Sequence, residues 1–346
     1  MGKPRGLTGL CCAAHTLPEG LSMPRTGRIR STLRSARKGP TPRLVPRTAG
    51  VMLIRDALDI APLVIGHHLA AGLERIHVID DGSTDGTSEF LDDLAARSGR
   101  VSHHRVVTDH DPQAETVSDA SNRLIKEGAR LIMPFDADEF WDVNPDLLRA
   151  WVSDERPRQL TAQWLNFAQT RDHTYPRPRG LLAVRHHAAI DVDATEEAVS
   201  AFEASFLHYG PIPKVMVWSR EPITFARGQH AVVLADGSTG LAEEAAEVDV
   251  MHVPLRWKSE LTKRAFNYEP RRARQRAHPG DSWQSLFHLS VMHEQRDHDV
   301  WAANSVDEDG CLDVYGRRVP LTRDDRLHHA LVRAGAQLLR MGIPVP

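Results

Sequence analysis

Between residues 51 and 135 the chain alternates short apolar runs with longer segments in which apolar side chains recur every three or four residues. The four apolar runs, at residues 51–54, 76–79, 101–107 and 131–135, have the length and the flanking turn residues of buried strands. The segments between them have the periodicity of helices with one buried face. This alternation predicts an α/β fold, in which a parallel sheet is joined by right-handed helical crossovers.

Beyond residue 141 the pattern becomes mixed. Apolar runs at 160–167, 181–184, 214–218 and 248–253 predict further strands, and a strongly basic segment at 255–277 predicts a helix. The residues after 277 carry no motif that indicates a function. The second half of the chain is therefore predicted to be a mixed α+β region.

Acidic residues directly follow two of the predicted parallel strands. Asp136, Asp138 and Glu139 come directly after the fourth run, and the pair Asp80-Asp81 follows the second. The carboxyl ends of parallel strands share one edge of a sheet, where open α/β sheets bind their ligands. Alternate residues of an extended segment point the same way, so Asp136 and Asp138 can converge on one hard cation. This spacing predicts a site for Mg²⁺ or Mn²⁺ carrying a phosphate.

The composition is that of a soluble globular protein, with 41% hydrophobic and 26% charged residues among 346. A net charge of −3 gives no reason to expect a nucleic-acid partner. The first fifty residues hold ten Lys or Arg and one acid, together with many Pro and Gly, which predicts a disordered basic extension over 1–48. No apolar stretch reaches the length of a membrane span, and three cysteines without metal spacing argue against a disulfide framework. We therefore expect a cytoplasmic protein, and the basic extension leaves peripheral contact with the inner membrane face open.

Short motifs occur in a fixed order between residues 50 and 270. They are Ile54-Arg55-Asp56, His67-His68-Leu69, 78–87, 135–140, 164–167, Arg179-Gly180-Leu181, 214–217, Gly228-Gln229-His230 and 251–254. Together they resemble the glycosyltransferases of family 2, which have the GT-A type of fold, and within that family the branch with a D-x-D-E-F motif. The resemblance implies a GT-A domain over 49–277, with a Rossmann-like nucleotide-binding half (49–142) built on a mixed sheet flanked by helices. A mixed α+β acceptor half (143–277) and a C-terminal extension of unknown role (278–346) would follow.

The resemblance also implies roles for the residues that match the motifs. The nucleotide of a UDP- or GDP-sugar donor would be contacted by Asp56, Asp80, Asp81 and Lys214. The Mn²⁺ or Mg²⁺ that bridges its two phosphates would be held by Asp136, Asp138 and His252. The sugar would pass to a glycan or another hydroxyl acceptor, with inversion at the anomeric carbon.

Direct displacement with inversion requires a general base near the acceptor hydroxyl. The candidates are Glu139, Asp172, Glu203 and His230, and their spacing does not choose among them. The chain also departs from the family at two positions: Ala57 stands where Glu usually follows the first motif, and Ala168 stands where Gly usually follows Phe167.

Four other classes of protein were weighed against this hypothesis. A phosphatase of the haloacid-dehalogenase type carries D-x-D on its first strand and expects Thr or Val where this chain has Phe140. A nucleotidyltransferase or a dinucleotide oxidoreductase needs a glycine-rich loop after the first strand, and residues 55–62 contain no glycine. The remaining alternative is a catalytically degenerate domain of the same fold that binds a nucleotide or a partner without turnover, and Ala57 keeps it open.

Overall fold

A computed structural model describes residues 44–107, 113–154, 158–177, 179–210, 213–239, 241–274 and 283–345. The strands are β1 (Val45–Ile54), β2 (Leu73–Asp81), β3 (Val101–Val106), β4 (Leu131–Pro134), β5 (Glu139–Asp142), β6 (Arg158–Thr170), β7 (His186–His187), β8 (Lys214–Trp218), β9 (Ile223–Phe225), β10 (Val232–Leu234), β11 (Leu241–His252), β12 (Ser305–Val306), β13 (Cys311–Val314), β14 (Arg317–Pro320) and β15 (Thr322–Arg323). The α-helices are α1 (Ala61–Ala70), α2 (Thr87–Arg97), α3 (Gln113–Lys126), α4 (Pro145–Ser153), α5 (Glu196–Ser200), α6 (Ser259–Arg274), α7 (Trp283–His293), α8 (Asp297–Ala303) and α9 (Arg326–Arg340).

The strands from β1 to β4 form a parallel sheet in the order β3-β2-β1-β4. Strand β8 then pairs antiparallel with β4, and β6 pairs antiparallel with β8, so the sheet as a whole is mixed. Strand β11 lies parallel to β6 and antiparallel to the short β5. The predicted mixed sheet flanked by helices is confirmed.

The order of the parallel strands reverses between β1 and β4. The chain runs outward from β1 through β2 to β3, and then returns to place β4 on the other side of β1. Such a reversal opens a crevice at the carboxyl ends of the two central strands, because their connections leave to opposite sides. The loops after β1, β2 and β4 therefore meet at this edge, as the acidic motifs predicted.

The segment after residue 277 contributes to the same core. Helix α9 packs on α1, and the backbones come close because Gly66 has no side chain: a Cβ there would lie 2.9 Å from the Ala334 carbonyl oxygen. Strand β12 pairs with β6, and β15 pairs with β7. The structure thus gives the C-terminal segment a packing role, where the sequence offered no motif.

Two sequence predictions differ from the structure in detail. Residues 181–184, predicted as a strand, lie mostly in the 3₁₀ helix Gly180–Ala183, because a short apolar run does not by itself distinguish the two. Strand β1 begins at Val45, earlier than the predicted domain boundary at residue 49. The helix start predicted at Asp111-Pro112 and residues 1–43 of the predicted extension lie outside the described residues. None of the helices in the described ranges is both long and apolar enough to cross a bilayer.

Candidate functional site

Asp56 links the loops that follow β1 and β2. Its backbone N–H donates to the Ser83 hydroxyl at 2.9 Å, and its carboxylate Oδ1 accepts from the Thr84 N–H at 2.7 Å. Asp56 has a left-handed backbone (φ 49°), which aspartate tolerates better than most residues. These bonds hold the 82–85 turn against the end of β1 and form one wall of the crevice.

The adjacent residues Asp80 and Asp81 have different surroundings. Asp80 is fully buried and accepts from the Ser83 N–H at 2.9 Å and from the Ser88 hydroxyl. Burial raises the pKa of Asp80, but the hydrogen bonds from Ser83 and Ser88 outweigh that effect and hold it below its usual value. Asp81 lies at the strand end, with Oδ2 3.9 Å from an Arg55 guanidinium nitrogen. Asp80 therefore shapes the turn, and Asp81 lies beside a cation at the sheet edge.

The acids after β4 form a carboxylate cluster, which we define as Asp136, Asp138 and Glu139. The Lys214 ammonium, on β8, lies beneath it, 2.8 Å from Asp136 Oδ2 and 3.0 Å from Glu139 Oε1. The other Asp136 oxygen accepts from the Gln113 side chain at 3.1 Å, and the Asp136 N–H donates to Glu139 Oε2 at 3.0 Å. Strand pairing between β8 and β4 thus brings Lys214 to acids 75 or more residues away in sequence.

Three acceptors enclose the Lys214 ammonium. It donates hydrogen bonds to Asp136 Oδ2 and, at 3.0 Å, to the Gln229 side-chain oxygen, while Glu139 Oε1 lies within ion-pair distance. Its side chain is 1% exposed. Burial lowers the pKa of Lys214, but the charges of Asp136 and Glu139 outweigh burial, so the ammonium stays charged. The prediction that Lys214 contacts a diphosphate does not fit this geometry, and the lysine serves the carboxylate cluster instead.

Glu139 lies at the bottom of the cluster and is fully buried. Burial raises the pKa of Glu139 to about 8, and the neighbouring charges of Asp136 and Asp138 add to the rise against the opposing charge of Lys214. This placement gives Glu139 contacts with the cluster itself rather than with the open crevice.

Asp138 faces His252 across the end of β11. Asp138 Oδ1 and His252 Nε2 are 3.7 Å apart; the His252 side chain is buried, and the Asp138 side chain is partly buried. The other ring nitrogen, Nδ1, lies 2.8 Å from the Asn166 side-chain oxygen. The Asn166 amide nitrogen donates to two backbone carbonyls, of Leu207 and Tyr209, which fixes the amide orientation. His252 therefore carries its proton on Nδ1, and Nε2 presents a lone pair to the Asp138 carboxylate.

The protonation states of this pair follow from their surroundings. Burial lowers the pKa of His252 to about 4, so the imidazole is neutral at pH 7. Burial alone raises the pKa of Asp138, but the charges around it reverse the effect and hold it below its usual value. Because His252 is neutral at pH 7, the positive potential comes from the nearby cations, among them Arg264, whose guanidinium lies 3.4 Å from Asp138 Oδ2.

A divalent cation fits the chemistry of these donors. An ionised carboxylate and a neutral imidazole, oriented by a second hydrogen bond, are the states in which such side chains bind metal. Their facing lone pairs repel each other, and a cation between them would remove that repulsion. Within the described ranges, no three His, Cys, Asp or Glu side chains are already gathered as a metal site. The Asp138–His252 pair would therefore need further ligands from Asp136, substrate or water.

The candidate bases occupy separate places. Asp172 is exposed on the turn after β6, where it bonds to Thr170, His173 and Arg177; burial raises the pKa of Asp172, but these bonds lower it to about 2. Glu203 is exposed after α5. His230 is partly buried beside Trp164, with ring centroids 5.6 Å apart. No hydrogen bond or ion pair in the described part of the chain joins Asp172, Glu203 or His230 to the carboxylate cluster.

The sequence did not single out several residues that organise the site. Gln113 and Gln229 bond to the carboxylate cluster and its lysine, and Asn166 orients His252. Gln113 also accepts from the Gly228 N–H at 3.0 Å, which ties α3 to the Gly228-Gln229 turn. Gln229 and Asn166 lie within motifs noted above, but only the paired strands show what their amides contact.

Comparisons with known proteins agree with this picture. Residues 68–202 match the family model described as glycosyl transferase family 2. A comparison with curated protein sequences gave no match. The match over residues 68–202 confirms the resemblance to family 2 that the motifs predicted. The narrower D-x-D-E-F branch stays a prediction.

Solved structures that resemble the chain include the following three. S. aureus TarS is 9% identical with a TM-score of 0.34, and the match covers 74% of this chain and 44% of TarS. The mannosyltransferase PcManGT from Pyrobaculum calidifontis, in complex with GDP-Man and Mn²⁺, is 14% identical with a TM-score of 0.33, covering 81% and 83%. GalNAc-T7 with UDP, GalNAc and Mn²⁺ is 12% identical with a TM-score of 0.34, covering 74% and 57%. The chain thus spans less than half the length of TarS.

Proposed function

We propose that this protein is a metal-dependent glycosyltransferase that moves a sugar from a nucleotide-diphosphate sugar to a hydroxyl acceptor. The observation that carries the proposal is the Asp138–His252 pair, in which an ionised carboxylate and a correctly protonated imidazole face each other at 3.7 Å. It lies at the sheet edge where the loops after β1, β2 and β4 meet. A pair built only for stability would place an N–H of the histidine toward the carboxylate.

Asp56 and Asp81 are the residues that we assign to the nucleotide. Both lie at the carboxyl ends of central strands, where the strand order reverses. Asp80 supports them by fixing the turn between them rather than by binding the nucleotide itself. Ala57 removes one carboxylate that the family usually supplies, so the base and ribose depend on fewer side chains here.

Asp138 and His252, together with Asp136, would hold Mn²⁺ or Mg²⁺. A cation at this position supplies Lewis-acid stabilisation to a leaving diphosphate. Lys214 keeps Asp136 and Glu139 in place, and the Asn166 amide keeps the lone pair of His252 directed at the site. The chain's own contribution is thus a rigid, mostly buried set of donors with fixed protonation.

The transfer that fits this site is a direct displacement with inversion. The acceptor oxygen forms a bond to the anomeric carbon, the bond from that carbon to the diphosphate oxygen breaks, and its electron pair leaves with the nucleoside diphosphate. The acceptor proton passes to a base. Asp172 and Glu203 are accessible enough to serve, whereas Glu139 is enclosed by the carboxylate cluster and fits a positioning role better.

The experiment that tests the proposal is calorimetric binding of UDP and GDP, each with and without Mn²⁺, to the full chain and to Asp138→Ala. We expect one nucleotide to bind only with Mn²⁺, and the variant to lose roughly 100-fold or more in affinity. The matched control is Asp93→Ala on the exposed face of α2, which should bind like the parent. Equal binding by Asp138→Ala would refute the metal assignment. Absence of binding by the parent under every condition would favour the degenerate domain.

A further inference from the structure

A cavity of about 420 Å³ opens beside the proposed nucleotide site. Its inner wall is apolar and consists of Leu58, Leu63, Leu181 and the edge of Trp257. Gly180 lets Trp257 form this wall, because a Cβ at residue 180 would lie 2.6 Å from the indole ring. The indole N–H donates to Asp59 Oδ2 at 2.6 Å, which fixes the ring. The cavity is therefore a built feature of the fold, large enough for a sugar-sized or aromatic group.

The acids that line the cavity already have partners. Asp59 and Glu260 share the buried Arg256, which lies 2.8 Å from Asp59 and also contacts Glu260. Asp85 accepts from the Thr87 N–H at 3.0 Å and from the Leu58 N–H at 3.2 Å. Asp59 and Glu260 therefore face Arg256 rather than the cavity, whereas Asp85 keeps an exposed carboxylate at its edge.

Two cations at the mouth of the cavity, Arg179 and Lys263, have no carboxylate partner among the described residues. The Arg179 guanidinium forms no hydrogen bond or ion pair within the described residues, although Arg179 lines the cavity and its backbone is left-handed (φ 60°). The Lys263 ammonium has only the Asp56 carbonyl oxygen, at 3.0 Å, and no carboxylate within ion-pair distance in that part of the chain. Arg177 is shared with Asp172 and His173 on the rim. The mouth thus offers positive charge in front of an apolar wall.

We propose that this cavity is the acceptor subsite, and that the acceptor carries an apolar or aromatic body next to an anionic group such as a phosphate or carboxylate. The proposal rests on the function proposed above. The apolar wall would bury the body, and Arg179 with Lys263 would bind the anion through charge-assisted hydrogen bonds. A neutral glycan would leave both cations unpaired and would gain little from the leucine side chains.

The location of the cavity agrees with an acceptor role. Lys263 joins the cavity to the proposed nucleotide loop through the Asp56 carbonyl, so a ligand here would lie next to a bound donor. Arg256 contributes to the positive potential at Asp138 and also bonds Asp59 in the cavity wall. Arg256 therefore links the subsite to the metal-binding pair electrostatically, while the two use different side chains.

The test is calorimetric binding of phenyl phosphate, phenol and inorganic phosphate to the full chain. We expect phenyl phosphate to bind at least about tenfold more tightly than either fragment, because only phenyl phosphate uses both wall and mouth. Arg179→Gln should weaken its binding about tenfold, and Leu58→Trp, which fills the cavity, should abolish it. The matched controls Arg317→Gln and Leu286→Trp, both outside the cavity, should leave it unchanged. The proposal would be overturned if phenyl phosphate bound no more tightly than inorganic phosphate, or if neither Arg179→Gln nor Leu58→Trp weakened its binding.

Two further titrations separate this proposal from the function on which it rests. Phenyl phosphate should still bind when nucleotide and Mn²⁺ are saturating, and should still bind to Asp138→Ala. Competition between phenyl phosphate and the nucleotide would show that the probe reads the diphosphate site, and would overturn the subsite. A third outcome is that no nucleotide binds, while the binding of phenyl phosphate still depends on Arg179. That outcome would refute the acceptor role and the proposed transferase, and would leave an anion-binding cavity.

Discussion

Two acidic groups of this molecule differ in what faces their carboxylates. In the cavity wall, Asp59 and Glu260 share Arg256, and the indole N–H of Trp257 adds a bond to Asp59. In the carboxylate cluster, Lys214 contacts Asp136 and Glu139, and Arg264 lies 3.4 Å from Asp138, but His252 turns a lone pair rather than a proton toward Asp138. Buried charges are costly unless paired. Asp59 and Glu260 therefore face a donor within the protein, whereas Asp138 and the lone pair of His252 face each other as two acceptors, and we propose that a cation lies between them.

The largest effect should follow from Lys214→Met. The substitution removes the ammonium that contacts Asp136 and Glu139, so the fully buried Glu139 loses a cationic partner while Asp136 keeps only its bond from Gln113. We expect the free energy of unfolding to fall by about 3–5 kcal/mol, measured by urea denaturation. Lys126→Met, at the exposed end of α3, is the control and should cost almost nothing. A loss for Lys214→Met as small as the control's would mean that the cluster does not need its lysine.

Acid titration should reveal a buried group that belongs to neither acidic set. Burial lowers the pKa of His67 to about 4, and its Nε2 lies 2.8 Å from the Trp141 carbonyl oxygen. A histidine whose folded pKa lies below its unfolded value of about 6.5 adds stability above pH 6.5. That contribution is lost as the pH falls toward 4, by about 3 kcal/mol for this residue.

His67→Leu should therefore flatten the dependence of unfolding free energy on pH between 6.5 and 4. The control His293→Gln, at the exposed end of α7, should retain the parent's slope. A parent whose stability is constant over this range would contradict the assignment of a neutral, buried imidazole.

A smaller effect is expected in the cavity wall, where Asp59 faces Arg256. Asp59→Asn keeps a side chain of the same shape and an oxygen for the Trp257 indole, but removes the charge that faces Arg256. We expect a loss of about 1–3 kcal/mol in unfolding free energy. Denaturation of Asp59→Asn beside Lys214→Met would compare the two groups directly. A larger loss of unfolding free energy for Asp59→Asn than for Lys214→Met would contradict the expectation that the carboxylate cluster depends more strongly on its cation.

The parts of the molecule that the sequence predicted well are local. Apolar runs and helical spacing indicated β1 to β4 and the helices between them, and the acids placed after β2 and β4 do lie at one sheet edge. The spacing of apolar residues indicates the type of a single helix or strand, and all strands of a parallel sheet have their carboxyl ends at the same edge. The loops around Asp56, Asp81 and Asp136 were therefore predictable.

The parts that the sequence did not predict depend on distant pairing. Lys214 was expected at a diphosphate, but β8 buries it between β4 and β6, under the acids. The 3₁₀ helix at residue 180 is packed against Trp257, far along the chain, which an apolar run cannot indicate. Helix α9 carries no chemical motif, and only its contact with α1 shows that it completes the core.

The central claim is that Asp138 and His252 hold a divalent cation. The most direct test is titration of the full chain with Mn²⁺ in the presence of UDP or GDP, with free Mn²⁺ followed by electron paramagnetic resonance. We predict that one Mn²⁺ binds per chain, and that this binding is lost in His252→Ala and retained in His293→Gln. Tight binding of Mn²⁺ that survives both Asp138→Ala and His252→Ala would contradict it.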